Sequence, residues 1–319
     1  MLFKAIQIIA RKLFPVGKSG TESRVSLFHY MEEHVRRLYQ YGQCRTAETY
    51  RVTLNSLYRF RGGEDLYLDE LDATVLQGYE FYLKEDGLCP NTVSFYMKRL
   101  RAVYNKAVDD GLVSDSHPFR KVSTASEKTV KRAIPLSVIR KLKNLDLEDS
   151  PPHAMARDLF LLSFYMRGMS FVDMAHLQKA DLKDGVLSYR RRKTGQLLTL
   201  RWEPCMQKLA RRYASSPSSP YLLCIIPDAD GDIMRQYHAV QNRVNRYLKE
   251  VGISIGLSQP LTMYVARHSW ASIARQEGVP VSVISEGMGH DSESTTQIYL
   301  ASLESSVIDK ANRKILSRL

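Results

Sequence analysis

A polar, basic stretch at residues 114–132 divides this chain of 319 residues into two regions of regular apolar patterning. The stretch is rich in Ser, Thr, Lys and Arg, contains Pro118, and shows little apolar periodicity, which is typical of an exposed linker. Hydrophobic residues make up 44% of the chain, which is enough for a core on each side of the linker. The sequence therefore predicts two domains, at residues 26–113 and 133–319, preceded by a separate segment at residues 1–25.

The first region contains four apolar patterns at helical spacing, and a glycine follows each of them. These patterns predict a small all-α domain of four helices. Its last helix carries Lys98, Arg99 and Arg101 beside several tyrosines. Such a cluster can bind DNA phosphates, although a helix face that contacts only solvent has the same composition.

The second region is also mainly helical, with one exception at residues 185–200. Apolar residues on both sides of a Lys-Thr-Gly turn predict a β-hairpin, so this domain is expected to be mainly α with a small β-hairpin or sheet. The hairpin is strongly basic and contains no acidic residue near its tip. Its basic residues are Arg190, Arg191, Arg192 and Lys193, and Arg243 adds positive charge on a later helix. The hairpin is suited to a nucleic-acid backbone or groove; a basic edge hairpin protected by charge from aggregation is the alternative.

The charge balance favours a polyanionic partner. The chain has 46 Lys and Arg against 34 Asp and Glu, a formal net charge of +12 and a pI near 9.5, so nucleic acid is the first candidate and merely solvated basic faces are the alternative. The four cysteines show neither CxxC nor metal-ligand spacing. We therefore expect no metal site, no cofactor and no disulfide framework, and a reducing cytoplasm fits.

Within the segment at residues 1–25, residues 1–14 predict a short, basic amphipathic helix, because apolar residues are mixed there with lysine and arginine. The segment lacks the unbroken apolar core of a signal peptide. Packing on the protein, contact with DNA phosphates and contact with a membrane surface all remain open for it. No apolar run in the chain reaches spanning length, so no membrane partner is expected.

Residues 266–300 bring together chemistry that suits attack on a phosphate ester. The segment holds Arg267, His268, His290 and Tyr299 within 35 positions, with no acidic residue beside Arg267. Arginine and histidine can stabilise negative charge on phosphate oxygens, and tyrosine can act as a covalent nucleophile. Considered singly, each of these residues is more often structural than functional.

Arg167, Lys193, Arg267, His290 and Tyr299, in this order and on these local structures, resemble the tyrosine recombinase (phage integrase) family. The most specific signals are Ala-Arg-His-Ser-Trp-Ala-Ser at residues 266–272, Ile-Ser-Glu-Gly-Met-Gly-His at residues 284–290, and Ser-Thr-Thr-Gln-Ile-Tyr at residues 294–299. The resemblance covers the chain from about residue 26. It implies a SAM-like, four-helix core-binding domain followed by the catalytic domain.

The resemblance also implies a reaction. Tyr299 would attack a DNA phosphodiester to give a 3′-phosphotyrosyl link and a free 5′-hydroxyl, and rejoining would reverse the step without ATP or metal. Arg167 and Arg267 match the arginines that clamp the phosphate, a role for which a guanidinium is well suited. Lys193 matches the lysine that protonates the departing 5′-oxygen, with Arg192 as the nearest competitor, and His290 matches a group that hydrogen-bonds the phosphate.

One position departs from the family pattern. The family often has His-x-x-Arg, whereas Tyr264 stands three residues before Arg267, so the histidine usually proposed as general acid or base is absent. Tyr264 can still donate a hydrogen bond but is a weaker base at neutral pH. His268 is the alternative and is expected to be mainly structural. Asp173 resembles the family's acidic position and is expected to orient an arginine or cap a turn. The acceptor of the Tyr299 proton stays open.

The partners implied by the resemblance are double-stranded DNA at short recombination sites and three further copies of the chain. Four protomers would assemble on two duplexes, with the C-terminal helix from about residue 303 docking on a neighbour; docking within its own protomer is the alternative. With about 25 residues ahead of the first domain, no arm-binding domain is expected. Inversion that causes phase variation, integration of a mobile element and chromosome-dimer resolution all fit.

Two other function classes remain as alternatives. A type IB-like topoisomerase would use the same residues to relax DNA as a monomer, and a non-catalytic relative would bind DNA without cleaving it. We expect a cytoplasmic protein that is associated with the nucleoid when bound to DNA.

Overall fold

The computed structural model describes residues 24–122, 124–125, 127, 132–290 and 292–299. The chain separates into two compact units, Met1–Thr129 and Val130–Leu319. The predicted N-terminal amphipathic helix and the predicted C-terminal docking helix lie outside the described residues. In the part of the chain that is described, no helix is both long and apolar enough to cross a membrane.

Unit 1 contains the four predicted helices, which confirms an all-α domain. They are α1 (Leu27–Gln40), α2 (Cys44–Phe60), α3 (Ala73–Glu85) and α4 (Pro90–Asp109). Two of them begin at polar caps: the Ser26 side chain accepts a hydrogen bond from the His29 amide at 3.1 Å, and Asp72 accepts one from the Val75 amide at 2.8 Å. These caps satisfy amides that have no partner within the helix, which is why the helices begin there.

The core of unit 1 forms where the apolar faces of these helices meet. Leu27, Met31, Leu57 and Tyr79 are completely buried, and Tyr104 of α4 is 1% exposed. Burying a large apolar side chain contributes about 1.5–3 kcal/mol to folding. The helical spacing of these residues in the sequence is therefore explained by one shared core.

Packed structure in unit 1 continues beyond residue 113, into the segment predicted to be an exposed linker. Phe119 and Val122 are each only 6% exposed, and the Phe119 ring lies 6.0 Å from the Tyr104 ring. A short 3-10 helix, Pro118–Lys121, presents Phe119 to the core. The sequence pattern did not reveal this segment because two isolated anchor residues produce no periodicity.

Unit 2 is built around a central helix that is buried on all sides. Residues 156–163 of this helix are all buried, and other helices surround it. A helix enclosed in this way shows little amphipathic pattern. The helices of unit 2 are α5 (Leu136–Lys143), α6 (Pro151–Tyr165), α7 (Phe171–Ala175), α8 (Pro204–Arg212), α9 (Ile233–Ser254), α10 (Met263–Gln276), α11 (Val281–Met288) and α12 (Glu293–Tyr299), with α6 at the centre.

The predicted hairpin is present and forms part of a three-stranded antiparallel sheet. Its strands are β1 (Leu182–Lys183), β2 (Val186–Arg190) and β3 (Leu197–Arg201), in the order β1-β2-β3. Leu187 pairs with Leu200, and both side chains are buried on the face that packs on the helices. The short strand β1 was not predicted; it pairs with β2 through a tight turn in which Asp184 and Gly185 both have positive φ, a geometry that favours a hairpin.

A buried ionic network fastens α8 to α6. Asp158 is 2% exposed and accepts hydrogen bonds from Arg157 Nε at 2.6 Å, Arg212 Nη1 at 2.9 Å and the Tyr213 hydroxyl at 2.8 Å. Burial and the neighbouring carboxylate raise the pKa of Tyr213, so it stays protonated and can donate. A buried carboxylate with three donors is satisfied, whereas loss of the carboxylate leaves buried positive charge.

Candidate active site

Arg167 lies in the tight turn that ends α6. Its φ is 59°, in the left-handed region, which costs a residue with a side chain roughly 1–3 kcal/mol and marks a turn held by its surroundings. The amides of Gly168 and Met169 both donate to the Ser163 carbonyl, at 2.9 and 3.2 Å. From this turn the Arg167 Nη1 donates to the Thr199 carbonyl of β3 at 3.3 Å. The turn therefore sends the guanidinium towards the sheet.

Gly168 allows this turn to pack directly on α10. A methyl group placed on Gly168 would lie 2.6 Å from the Arg267 Cα, closer than two non-bonded carbon atoms can approach. Gly168 also has a φ of +70°, where residues with a side chain are strained. Only glycine fits here, and it brings the backbones of Arg167 and Arg267 together.

Three bonds to two segments of the chain fix the Arg267 guanidinium. Arg267 is 5% exposed; its Nη1 donates to the Gly168 carbonyl at 2.9 Å, and its Nη2 donates to the Met288 carbonyl at 2.7 Å. The same Nη2 lies 2.9 Å from Nε2 of His290. The arginine therefore holds the α6–α7 turn, α10 and the end of α11 in one arrangement.

His290 is neutral and carries its proton on Nδ1. A guanidinium has no acceptor, so His290 Nε2 must accept from Arg267, and Nδ1 donates to the Thr296 hydroxyl at 2.7 Å. Burial, followed by the positive charges of Arg267, Arg191 and Lys193, lowers the pKa of His290 to about 4. His290 is 8% exposed, which agrees with burial as the first cause.

The loop between β2 and β3 holds Lys193 and is anchored on both sides. Lys193 itself is exposed. The Asp173 carboxylate accepts a hydrogen bond from the Arg192 amide at 2.9 Å, and the Arg191 side chain donates to the Gly289 carbonyl. Lys193 therefore extends from a loop whose base is fixed to α7 and to the turn before His290.

Arg191 differs from the other residues predicted to bind DNA. It is 6% exposed, whereas Arg190 and Arg192 on either side of it are exposed. A methyl group on Gly289 would lie 3.2 Å from the Arg191 Cδ and 2.8 Å from the Leu198 Cδ1, so the hairpin and this turn are in close contact. The prediction placed Arg191 with its neighbours on a nucleic-acid surface; the structure instead gives it an internal contact.

Asp173 stabilises the turn before α7 and does not show the predicted arginine-orienting bond. It is 4% exposed, and one oxygen accepts from the Ser170 hydroxyl at 2.6 Å while the other accepts from the Arg192 amide. The Ser170 hydroxyl in turn accepts from the Asp173 amide at 3.3 Å, which caps α7. Of the two roles expected for Asp173, the geometry supports the cap.

Several charged residues of the candidate site act together on the pKa of Tyr189. Burial, followed by the Asp173 carboxylate, raises the pKa of this phenol, while Arg267, Arg191 and Arg167 lower it. Tyr189 is 8% exposed and lies in β2. It remains protonated because burial is the largest of these effects.

Tyr264 and His268 pack on each other on α10. Their ring centroids are 4.5 Å apart with an interplanar angle of 77°. Tyr264 is 53% exposed and His268 is half-buried, so the pair lies at the surface of the same helix that carries Arg267. Residues four apart on a helix share a face, which explains their contact.

Tyr299 is the last residue of α12, and this helix contacts the site through Thr296. Thr296 is completely buried and bonds to His290, three residues before Tyr299 in the chain. The structure thus brings the segment that holds Tyr299 to the arginine and histidine cluster. Sequence analysis missed Thr296, although its position in the Ser-Thr-Thr-Gln-Ile-Tyr motif was a signal.

The remaining residues predicted to bind DNA lie on helix surfaces. Lys98 and Arg101 are exposed on one face of α4, since they are three residues apart. Arg99 instead lies over the rings of Tyr50 and Phe95, at 5.3 and 5.4 Å. In unit 2, Arg243 is exposed on α9.

Two family models match the chain. The phage integrase SAM-like domain matches residues 26–123, and the phage integrase family model matches residues 138–306, more than half of the chain. The boundary of the first match agrees with the packing of Val122 in unit 1.

Individual curated proteins and solved structures are also similar to this chain. Tyrosine recombinase XerC of Thermodesulfovibrio yellowstonii is 27% identical over 267 residues, which cover 80% of this chain and 85% of that protein. A λ integrase dimer bound to a COC′ core site has a TM-score of 0.65 at 16% identity, and the match covers 93% of this chain and 85% of that one. A λ integrase tetramer bound to a Holliday junction has a TM-score of 0.66 at 16% identity, and the match covers 94% of this chain and 86% of that one. These structures share the fold of this chain. On the strength of the two model matches and the curated relatives, the chain belongs to the phage integrase family of tyrosine recombinases.

Proposed function

We propose that this protein recombines DNA at specific sites by joining one broken strand to Tyr299. The observation that carries the proposal is the arrangement around Arg267, whose guanidinium is held by two carbonyls and His290 while the Arg167 turn packs against its backbone. Arginines fixed in advance stabilise the charge that develops on phosphate oxygens at little reorganisation cost. The site is therefore suited to phosphoryl transfer.

The proposed chemistry exchanges one phosphodiester for another. The Tyr299 phenol oxygen forms a bond to phosphorus, the bond from phosphorus to the 5′-oxygen breaks, and the phenol proton leaves to solvent or a neighbouring base. Lys193 gives a proton to the departing 5′-oxygen. Its exposed position on an anchored loop supports this role, because a cation on a flexible stem can follow a leaving group.

The proposed substrate is duplex DNA. Exposed basic residues occur in both units, with Lys98 and Arg101 on α4 and Arg190, Arg192 and Arg243 in unit 2. A chain with a formal net charge of +12 is attracted to the phosphate backbone. The λ integrase relatives are described as a dimer on a core site and as a tetramer on a Holliday junction. We extend this to a tetramer of the present chain on two duplexes, acting on DNA in the cytoplasm.

The test is the covalent intermediate. Nicked suicide duplexes, tiled across the DNA that flanks the gene and first across any short inverted repeats found there, are incubated with the protein, and DNA that migrates with the protein in denaturing gels is scored. The wild type is expected to form an adduct that Tyr299→Phe abolishes. Tyr41→Phe, which alters an exposed tyrosine of unit 1, is the matched control and should leave the adduct unchanged. An adduct that persists in Tyr299→Phe would refute the assignment.

The same assay distinguishes the two alternative functions. A non-catalytic relative would retard the duplex without forming an adduct. A type IB-like topoisomerase would form the adduct and relax supercoiled DNA without a recombination site. Recombinant products that depend on the repeats are expected only of a recombinase.

The role of Lys193 is tested with a substrate whose leaving group needs no proton. Lys193→Ala is expected to slow cleavage of a normal duplex by about 10²–10⁴-fold and to leave cleavage of a 5′-phosphorothiolate duplex nearly unchanged. Arg192→Ala is the control at the adjacent exposed position. Equal slowing of both substrates by Lys193→Ala contradicts its role as the acid.

A further inference from the structure

His290 physically connects the phosphate-binding arginine to the helix that ends at Tyr299. Its Nε2 faces Arg267 at 2.9 Å, and its Nδ1 faces the Thr296 hydroxyl at 2.7 Å. His290 directly follows Gly289, whose left-handed φ ends α11, and Thr296 belongs to α12. The imidazole therefore lies between two elements whose relative position decides where Tyr299 is presented.

Thr296 is the group that sets the orientation of this imidazole. Because Arg267 can only donate, the bond to Nε2 exists only while the proton lies on Nδ1, and that proton needs an acceptor. The Thr296 hydroxyl provides one in a location that is completely buried. A buried N–H without an acceptor costs more than an ordinary hydrogen bond contributes, so loss of this hydroxyl shifts the tautomer or rotates the ring.

We propose that Thr296 is a positioning residue for DNA cleavage. By accepting a hydrogen bond from Nδ1 of His290, it keeps Nε2 directed towards the phosphate-binding arginine. The same bond fixes α12, the helix that ends at Tyr299, against the His290 ring. The proposal rests on the proposed function. Thr296 acts through His290 and does not itself contact the reacting atoms.

The charges around His290 explain why such a residue is needed. Arg267 on α10 and Arg191 and Lys193 of the hairpin all disfavour the imidazolium, together with burial. The neutral ring carries a single proton, so its bonds depend on which nitrogen holds that proton. The Thr296 hydroxyl accepts the proton at Nδ1 and leaves Nε2 as the acceptor that Arg267 requires.

The first experiment compares two substitutions at Thr296 with one at its neighbour. Thr296→Val keeps the volume and removes the acceptor, and Thr296→Ser keeps the acceptor. On the nicked suicide duplex, single-turnover cleavage by Thr296→Val is expected to fall about 10- to 100-fold, while that by Thr296→Ser stays within about threefold of wild type. DNA binding is expected to change less than about threefold in both variants. Thr295→Val alters the same residue type on the same helix, at a position that bonds to Ser292, and should cleave as wild type does.

The pathway through His290 is tested by combining substitutions. Once His290→Ala has removed the ring, adding Thr296→Val is expected to slow cleavage by less than about twofold. An undiminished effect in that background would overturn the proposal, since Thr296 would then act on the helix alone. Equal slowing by Thr296→Ser and Thr296→Val would overturn it as well.

A measurement without DNA keeps the proposal separate from the proposed function. Nitrogen NMR of the 15N-histidine-labelled protein is expected to show His290 as the Nδ1–H tautomer in wild type and Thr296→Ser, and a shift towards Nε2–H in Thr296→Val. If the wild type forms no Tyr299 adduct on any duplex, the proposed function fails, while the tautomer still decides whether Thr296 positions the ring. The same tautomer in all three proteins would refute the proposal.

Discussion

Replacing Gly168 by alanine tests how closely Arg167 and Arg267, the two arginines proposed to clamp the phosphate, depend on one tight turn. Gly168 has a φ of +70°, and an added Cβ would lie 2.6 Å from the Arg267 Cα, 3.1 Å from its Cβ and 3.2 Å from its Cγ. The obstructing atom is backbone, so a side-chain rotation cannot relieve the contact. The turn and α10 must move apart.

The magnitude follows from the geometry. The left-handed backbone costs alanine about 1–2 kcal/mol, and overpacking of a buried contact adds about 1–3 kcal/mol. We therefore expect the free energy of unfolding to fall by about 2–5 kcal/mol. A normal contact requires Arg267 to shift by roughly 1 Å, and a misplacement of that size can slow catalysis about 10²-fold.

The control is Gly185→Ala in the β1–β2 turn. Gly185 has a φ of +73° and nothing within 4 Å of an added Cβ, so this variant carries the backbone strain without the clash. Urea unfolding and single-turnover cleavage are measured on both. Gly185→Ala is expected to lose about 1–2 kcal/mol and cleave normally. Equal stability and equal cleavage in the two variants would show that the close approach of Gly168 to Arg267 does not matter.

Three further predictions concern the buried charges. Arg191→Met removes the bond to the Gly289 carbonyl and should slow cleavage about tenfold with little change in DNA affinity. Arg190→Met, at an exposed position, should instead weaken DNA binding and reduce its salt dependence. An equal loss of DNA affinity by the two variants in filter-binding assays would contradict the internal role of Arg191. Asp158→Ala leaves buried arginine charge and should lower the free energy of unfolding by about 3–5 kcal/mol in urea titrations; a loss below about 1 kcal/mol would contradict this. The pKa of His290, about 4 in the fold against an ordinary value of 6.5, means that the unfolded chain binds more protons between these pH values, so stability falls as pH is lowered through this window. His290→Gln should make this fall shallower, and an unchanged slope would refute the assignment.

Elements with a strong local pattern were predictable from the sequence. The four helices of unit 1 are marked by apolar spacing and by terminal glycines, and the hairpin by apolar runs around Lys193-Thr194-Gly195. These signals are local, because a helix or a hairpin must present one apolar face whatever else the chain does. The burial of Phe119 and Val122 within the predicted linker could not be predicted in this way, because each is a single buried residue and a single residue has no period.

The sequence by itself determined the chemistry that is present: the order Arg167, Lys193, Arg267, His290 and Tyr299, and the motifs around them. Only the tertiary structure decides which of these side chains are buried and which of them contact each other. The hairpin has three consecutive arginines, which the sequence alone does not distinguish. Arg191 is buried against Gly289 while its neighbours are exposed, because successive residues there face opposite directions. In the same way, only packing brings Gly168 onto Arg267 and Thr296 onto His290. Contacts between distant segments depend on the shape of the whole unit, and no local pattern records them.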